Sequence, residues 1–123
     1  MTRIGALKVL ADKVEAGAAE AKHFQSAFIT PYDESSVETS NRCLHAYHGS
    51  LDAAKALHES VLTGCSQYSI ETDPTCLRVI VSWWPEWLSG NREIQGVAWH
   101  EDNPARAWLL AIIRALIAQE KAL

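Results

Sequence analysis

The chain lacks a surplus of positive charge. Its 123 residues carry 11 Lys and Arg against 15 Asp and Glu, which gives a formal net charge of -4. Proteins that bind nucleic acid through its phosphates depend on a basic surface. The composition therefore gives no electrostatic support for direct nucleic-acid binding, and a protein or small-ligand partner is expected instead.

Segments for membrane insertion or export are also missing. The apolar stretch at residues 105–118 is shorter than the ~20 residues that a bilayer-spanning helix needs. The N-terminus begins Thr2, Arg3, Ile4 and lacks the basic-then-apolar run of a secretion signal. We therefore expect a cytoplasmic protein without membrane association.

Cysteines are few and odd in number: Cys43, Cys65 and Cys76. A chain long enough to bury one core does not need disulfides, so we expect free thiols in a reducing compartment. Oxidation could still join Cys65 to Cys76.

The chain also has too few clustered ligands for a typical zinc site. A structural zinc ion takes four ligands that arrive as two tight pairs. Only one such cluster is present, Cys43-x-His45-x-x-His48, while His58 and the other two cysteines lie elsewhere. Polar histidines in a loop and buried free thiols are the simpler interpretation, and no cofactor is expected.

Catalytic motifs are absent as well. The sequence contains no nucleophile elbow, phosphate-binding loop or paired-carboxylate motif. Cys65 follows the predicted end of a helix, whereas an oxyanion is stabilised by the N–H groups at a helix start. We expect a non-enzymatic protein, with a small hydrolase as one alternative.

The sequence patterns predict two helices followed by three strands. Apolar spacing predicts a helix over residues 4–21, weakened at Gly17, and another over 51–62, capped by Ser50 and closed by Gly64. The apolar pattern lapses over residues 24–40, and within them residues 30–36 read as turn and loop. Residues 37–47 fit a short helix or an ordered loop and are interpreted as irregular. Period-two patterns predict strands over 67–72, 77–84 and 93–100, separated by turns at 73–75 and 89–91.

The last helix organises the predicted fold. Asn103 is a good N-cap, Pro104 suits the first position, and only Arg106 and Arg114 interrupt the apolar run. A helix that is apolar nearly all round must be covered on several sides. We predict a single α+β domain over residues 1–123, in which this helix lies centrally against a three-stranded antiparallel meander, flanked by the first two helices. A homo-oligomer would supply further cover.

The chain contains five tryptophans, and three of them lie close together at Trp83, Trp84 and Trp87. Successive strand residues point to opposite faces, so Trp83 and Trp84 cannot enter the same core. An outward tryptophan beside Arg78 and Arg92 could stack on a base or fill a partner's pocket. The alternative is that helices or a second subunit cover both faces of the sheet.

A second candidate binding region lies before the last helix. His100 and Glu101 precede Asn103, and Arg106 lies close by. Free N–H groups at a helix start favour anions. This region would bind a ligand unless Asn103 caps those groups itself.

Two helices with their caps resemble a known family. Residues 50–64 (SLDAAKALHESVLTG) and 97–117 (VAWHEDNPARAWLLAIIRALI) are similar to the phage ABA sandwich family of small phage and prophage proteins. Cys65 departs from the family, which commonly has Trp at that position. The resemblance implies a bacteriophage origin and a layered α/β fold, but it carries over no catalytic or binding residue.

The resemblance leads to an expected function. We expect a phage accessory protein that acts in the host cytoplasm by binding, as an inhibitor of a bacterial anti-phage defence system. It would block a protein effector such as a CRISPR complex, or sequester a nucleotide messenger between subunits. The alternative is a structural or assembly-associated phage protein without a ligand. A sequestering protein should have a pocket where arginine and aromatic groups converge, and an effector blocker should have an exposed aromatic or acidic patch.

Overall fold

The structure, a computed structural model, describes residues 2–30, 33–88, 92–100 and 102–122. Within these ranges it contains five α-helices and one antiparallel sheet, which confirms the predicted α+β class. The elements in chain order are α1 (Arg3–Ala16), α2 (Ala21–Phe28), α3 (Ser35–Tyr47), α4 (Leu51–Val61), β1 (Cys65–Thr72), β2 (Leu77–Trp84), β3 (Ile94–His100) and α5 (Pro104–Ala122).

The N-terminal half contains more helices than predicted. The helix expected over residues 4–21 ends at Ala16, because Gly17 adopts a left-handed conformation with φ of 70° and turns the chain. A new helix, α2, then begins after Glu20, whose N–H donates to His23 Nδ1 at 2.9 Å.

The interpretation of residues 37–47 as irregular is wrong, and the lapse of periodicity over 24–40 hid parts of two helices. Residues 21–28 and 35–47 are all helical. The described residues between them, 29–30 and 33–34, are not helical, which agrees with the turn and loop predicted over 30–36. The buried face of α3 has helical spacing, but two of its members, Ser36 and Ser40, are polar. A hydrophobic pattern therefore does not reveal it. Ser36 is satisfied in its buried position because its hydroxyl donates to the Asp33 carbonyl at 2.6 Å.

Both predicted N-caps are present. Ser50 Oγ accepts the Ala53 N–H at 3.1 Å, and Asn103 Oδ1 accepts the Arg106 N–H at 3.0 Å. Gly64 has a positive φ of 95°, but α4 already ends at Val61 with Leu62 as its C-cap. Gly64 therefore turns the chain into β1 and does not close the helix.

The sheet has the strand order β1-β2-β3 and the predicted meander topology. The second strand begins and ends as predicted, whereas the first starts at Cys65, two residues early. The expectation that β1 is half-buried is wrong, because all its residues except Ser66 are exposed. The predicted turn at 89–91 lies outside the described residues.

The apolar C-terminal helix is central, as predicted. α5 packs against β3 and β2 on one side and contacts α1, α3 and α4 on the others. It approaches the sheet most closely at Gly96, where an added Cβ would lie 1.9 Å from the Ala111 carbonyl oxygen. It reaches β1 through Trp108, whose ring lies 4.1 Å from that of Tyr68. Among the described helices, none combines the length and apolar character needed to cross a membrane.

Candidate binding surface

One face of the sheet is covered by helices and the other faces solvent. Along β2, Leu77, Val79, Val81 and Trp83 are buried, while the alternate residues are only half-buried. We refer to the second face as the open face. By the strand register it consists of Cys65, Gln67, Ser69 and Glu71 of β1, Arg78, Ile80, Ser82 and Trp84 of β2, and Gln95, Val97 and Trp99 of β3.

The clustered tryptophans divide between the core and the surface. Trp83 is buried, and its indole N–H donates to the Thr63 carbonyl at 2.7 Å. It is a core residue and cannot serve in an exposed binding surface, which corrects its assignment as a binding residue. Trp84 lies half-buried on the open face, so one of the two rings does point outward. Trp87 is exposed in the turn after β2.

A row of three residues crosses the open face near the β1–β2 turn. Glu71, Arg78 and Trp99 are register partners on the three strands. The Arg78 guanidinium pairs with the Glu71 carboxylate and lies 5.2 Å from the centroid of the Trp99 ring. Trp99 is 55 % exposed, the highest value among the large apolar side chains that the structure describes. We name Glu71, Arg78 and Trp99 the Trp99 row.

The surroundings of the Trp99 row are acidic. Asp73 Oδ1 accepts hydrogen bonds from the N–H groups of Cys76 and Thr75, at 2.9 and 2.8 Å, and from the Thr75 hydroxyl. These bonds lower the pKa of Asp73, so its carboxylate is charged at neutral pH. Asp73 lines a depression of ≈ 280 Å³ together with Thr72 and the Trp99 row. Because Glu71 balances Arg78, the depression carries a net negative charge.

Carboxylates also lie at the opposite end of the sheet. Exposed Glu93 accepts a hydrogen bond from Gln95 on the open face, at 3.1 Å, and Glu86 follows Trp84 in the turn after β2. Arg92, a predicted binding residue, is exposed beside Glu93 and adds a single positive charge there.

His100 and Arg106 have structural contacts. His100 Nδ1 accepts the N–H groups of Asp102 and Asn103, at 3.1 and 2.9 Å. Arg106 donates through Nε to the Tyr47 carbonyl at 3.0 Å, and its guanidinium lies 4.1 Å from the Tyr47 ring centroid. The Asn103 cap takes up the Arg106 N–H. Arg106 therefore joins α5 to α3, while His100 and Asn103 take up N–H groups at the start of α5 that an anion would use. The anion site stays a prediction that these contacts do not favour. Glu101 lies outside the described residues.

The candidate metal ligands do not converge. Cys43 is buried in the core, and desolvation strongly raises the pKa of its thiol, while His45 and His48 are exposed. The described part of the chain holds no group of three or more His, Cys, Asp or Glu residues that could bind a metal ion.

A disulfide between Cys65 and Cys76 is ruled out by the hairpin. Cys65 pairs with Trp84 at one end of the β1–β2 ladder, while Cys76 lies in the turn at the other end. The two positions are separated by eight residues along the ladder, roughly 27 Å at about 3.4 Å per residue, whereas a disulfide spans at most about 7 Å between Cα atoms. The expectation that these thiols could pair is wrong.

A serine–histidine pair that the sequence did not reveal lies beside β1. His58 Nε2 is 2.9 Å from Ser66 Oγ, and His58 Nδ1 is 3.3 Å from Trp108 Nε1. An indole N–H only donates, so Nδ1 carries no proton and the proton of the neutral ring is on Nε2. Nε2 therefore donates to Ser66, which is the opposite of what activates a serine nucleophile. The pair ties α4 to β1 and α5.

No family model matches the chain, and neither a curated protein nor a solved structure matches it significantly. The resemblance to the phage ABA sandwich family stays a prediction. Function has to be inferred from the surface itself, above all from Trp99. The alternation in the strand predicted over 93–100 implies that Trp99 lies on the face opposite Ile94 and Ala98, but it gives no sign that this face is uncovered.

Proposed function

We propose that this protein acts by binding another protein through its open face, and that it serves as a phage accessory protein that inhibits a bacterial defence effector. The exposed Trp99 ring carries the proposal. Tryptophan and arginine are the residues that most often dominate the energy of protein interfaces. Here Arg78 holds the ring from one side, and the ring is more than half exposed on a strand whose other face is buried.

The charge around Trp99 favours a basic protein partner over a nucleotide messenger. A phosphate group needs unbalanced positive charge, but Arg78 is paired with Glu71 and the neighbouring Asp73 carboxylate is ionised. The same carboxylates complement a lysine- or arginine-rich surface. Effectors that carry nucleic acid in a basic channel, such as CRISPR complexes, offer such a surface.

The phage setting is supported by the resemblance of the α4 and α5 sequences to the phage ABA sandwich family. In this proposal the protein acts in the cytoplasm of an infected bacterium, where the defence effectors act. A purely structural role is less well supported, since it gives no reason for an exposed tryptophan that is held by an arginine.

Plating efficiency tests this function. A phage is plated on cells that carry a CRISPR effector with a matching guide, with and without this protein, across a panel of effector types. We expect the protein to restore plating on at least one strain. Trp99→Ala should lower that restoration by about tenfold or more, because a central aromatic anchor contributes about 2 kcal/mol or more to binding.

Val37→Ala is the matched control, since Val37 is an exposed apolar residue on α3, away from the sheet. It should behave as the wild type. Failure to restore plating on any strain would contradict the inhibitory function. Restoration that Trp99→Ala leaves intact would contradict the open face as the binding surface.

A further inference from the structure

The two edge strands of the sheet differ in how well they are protected against pairing with another strand. At the β3 edge, Arg114 reaches from α5 and donates to the Val97 carbonyl at 2.8 Å, and Glu15 holds the same guanidinium at 2.9 Å. The β1 edge contains no proline, lysine or arginine in its eight residues, CSQYSIET. Such residues are the usual protection of an edge strand against pairing. β1 is therefore the unprotected edge.

The register identifies which backbone groups of β1 are free. The Asp73 N–H donates to the Cys76 carbonyl at 3.0 Å, so these two residues form a hydrogen-bonded pair. Hydrogen-bonded and non-hydrogen-bonded pairs alternate along an antiparallel ladder. The uninterrupted register then directs the odd-numbered residues of β1 towards β2. The outward-directed residues are Ser66, Tyr68, Ile70 and Thr72, and their N–H and C=O groups have no backbone partner among the described residues.

These outward residues also place apolar side chains beside the edge. Their side chains lie on the helix-covered face, where the helices contact β1 through Trp108 of α5 against Tyr68 and through His58 of α4 against Ser66 and Tyr68. These contacts leave much of the strand uncovered. Tyr68 is therefore 45 % exposed and Ile70 37 % exposed. An antiparallel neighbour on this edge would cover both residues and satisfy the backbone groups.

We propose that the β1 edge pairs with β1 of a second copy of this chain, in antiparallel orientation about a two-fold axis at Ser69. This register pairs all four outward residues: Ser66 with Thr72 of the second copy and Tyr68 with Ile70 of the second copy. The two sheets join into one six-stranded sheet. The dimer goes beyond the proposed function, since it uses the strand edge and leaves the Trp99 ring uncovered on each copy.

Charge makes β1 complementary to itself. Glu71 is the only charged residue of the strand, and the Ser69-centred register places it opposite Gln67 of the second copy and not opposite another carboxylate. The groove between β1 and α4 is lined by Lys55 and Glu59, which carry opposite charges. These two charges cancel, so the surface beside β1 presents no net charge of either sign to a second copy. This self-complementarity favours a second copy over an unrelated strand.

Disulfide trapping tests the register. In a Cys65→Ser, Cys76→Ser background, Ser69→Cys places two thiols at the axis, in a non-hydrogen-bonded pair with Cα atoms about 4.5 Å apart. Mild oxidation should give a disulfide-linked dimer. Gln67→Cys in the same background is the control, because its two copies lie about 13 Å apart in this register. Equal trapping of both variants, or no trapping of Ser69→Cys, would overturn the proposal.

Sedimentation equilibrium tests the association itself without a cross-link. The wild type should dimerise reversibly, and Ile70→Lys should weaken the dimer by about tenfold or more, because lysine blocks edge pairing. Val37→Lys adds the same charge on α3 and should leave the dimer intact. A wild-type protein that is monomeric at all concentrations, or a dimer that Ile70→Lys does not weaken, would refute the β1 edge as the interface. The plating efficiency measured with the Trp99→Ala variant tests the open face independently of the dimer.

Discussion

At the scale of single residues, His58 shows how one buried polar group can connect three elements. Its two ring nitrogens bind Ser66 on β1 and Trp108 on α5, while its backbone belongs to α4. Desolvation lowers the pKa of His58, and the nearby charge of Glu59 opposes this only in part. The ring is therefore held neutral in the folded protein.

The stability of the protein should fall as the pH drops through the range in which an unfolded histidine titrates, near 6.5. The folded pKa lies below the unfolded one, so the unfolded chain takes up the proton first. Protonation would also put a proton on Nδ1, against the Trp108 N–H. Urea unfolding between pH 8 and pH 5 measures the effect, which should level off below the folded pKa.

His58→Gln is the variant for comparison. It should be less stable than the wild type at pH 8 and should lose part of the pH dependence, whereas His45→Gln, at an exposed position, should retain it. The same pH dependence in the wild type and in His58→Gln would refute this role.

Residue-level features were predictable where their partners are close in the sequence. Ser50 and Asn103 bind N–H groups three residues away, so their caps follow from local patterns. His58 binds partners that lie 8 and 50 residues away. No local pattern contains that information, and only the fold brings the three side chains together.

At the scale of elements, the packing of α5 on β3 depends on the absence of a side chain at Gly96. The helix backbone fills that space: an added Cβ would lie 1.9 Å from the Ala111 carbonyl oxygen and 2.7 Å from the Ala115 nitrogen. Neither atom can move aside as a flexible side chain would. The helix would have to shift as a unit.

Gly96→Ala should therefore destabilise the protein by about 3 kcal/mol or more, at the upper end of the usual cost of overpacking. Chemical denaturation measures this loss. Ser82→Ala, a change of similar size on the open face of the adjacent strand, should cost less than about 0.5 kcal/mol. A Gly96→Ala protein as stable as the wild type would show that α5 does not approach the sheet this closely.

Elements were predictable where the apolar pattern was complete. α5 and β2 have nearly unbroken apolar or alternating residues, and both lie where the pattern indicates. α3 was missed because serines occupy part of its buried face. β1 was assigned a buried face because alternation gives the period of a strand, but the helical layer contacts it through Trp108 and His58 and leaves most of the strand exposed.

At the scale of the whole molecule, all the helical contacts gather on one side of the sheet around α5. This arrangement buries one face and leaves the other open, with the Trp99 row at one end and carboxylates at both ends. The layered α+β architecture followed from the order of periodic patterns. The open face did not, because a sequence pattern does not show which of two faces the helices will choose.

The central claim is tested most directly by measuring how tightly the purified protein binds a CRISPR effector. The effector to use is the one whose block on plating the protein relieves. Titration calorimetry with wild type and Trp99→Ala gives the two dissociation constants. We predict that Trp99→Ala weakens binding by about thirtyfold or more, corresponding to about 2 kcal/mol, and that added salt weakens the wild-type complex because carboxylates contribute to it. Equal dissociation constants for the two proteins would contradict binding through the open face.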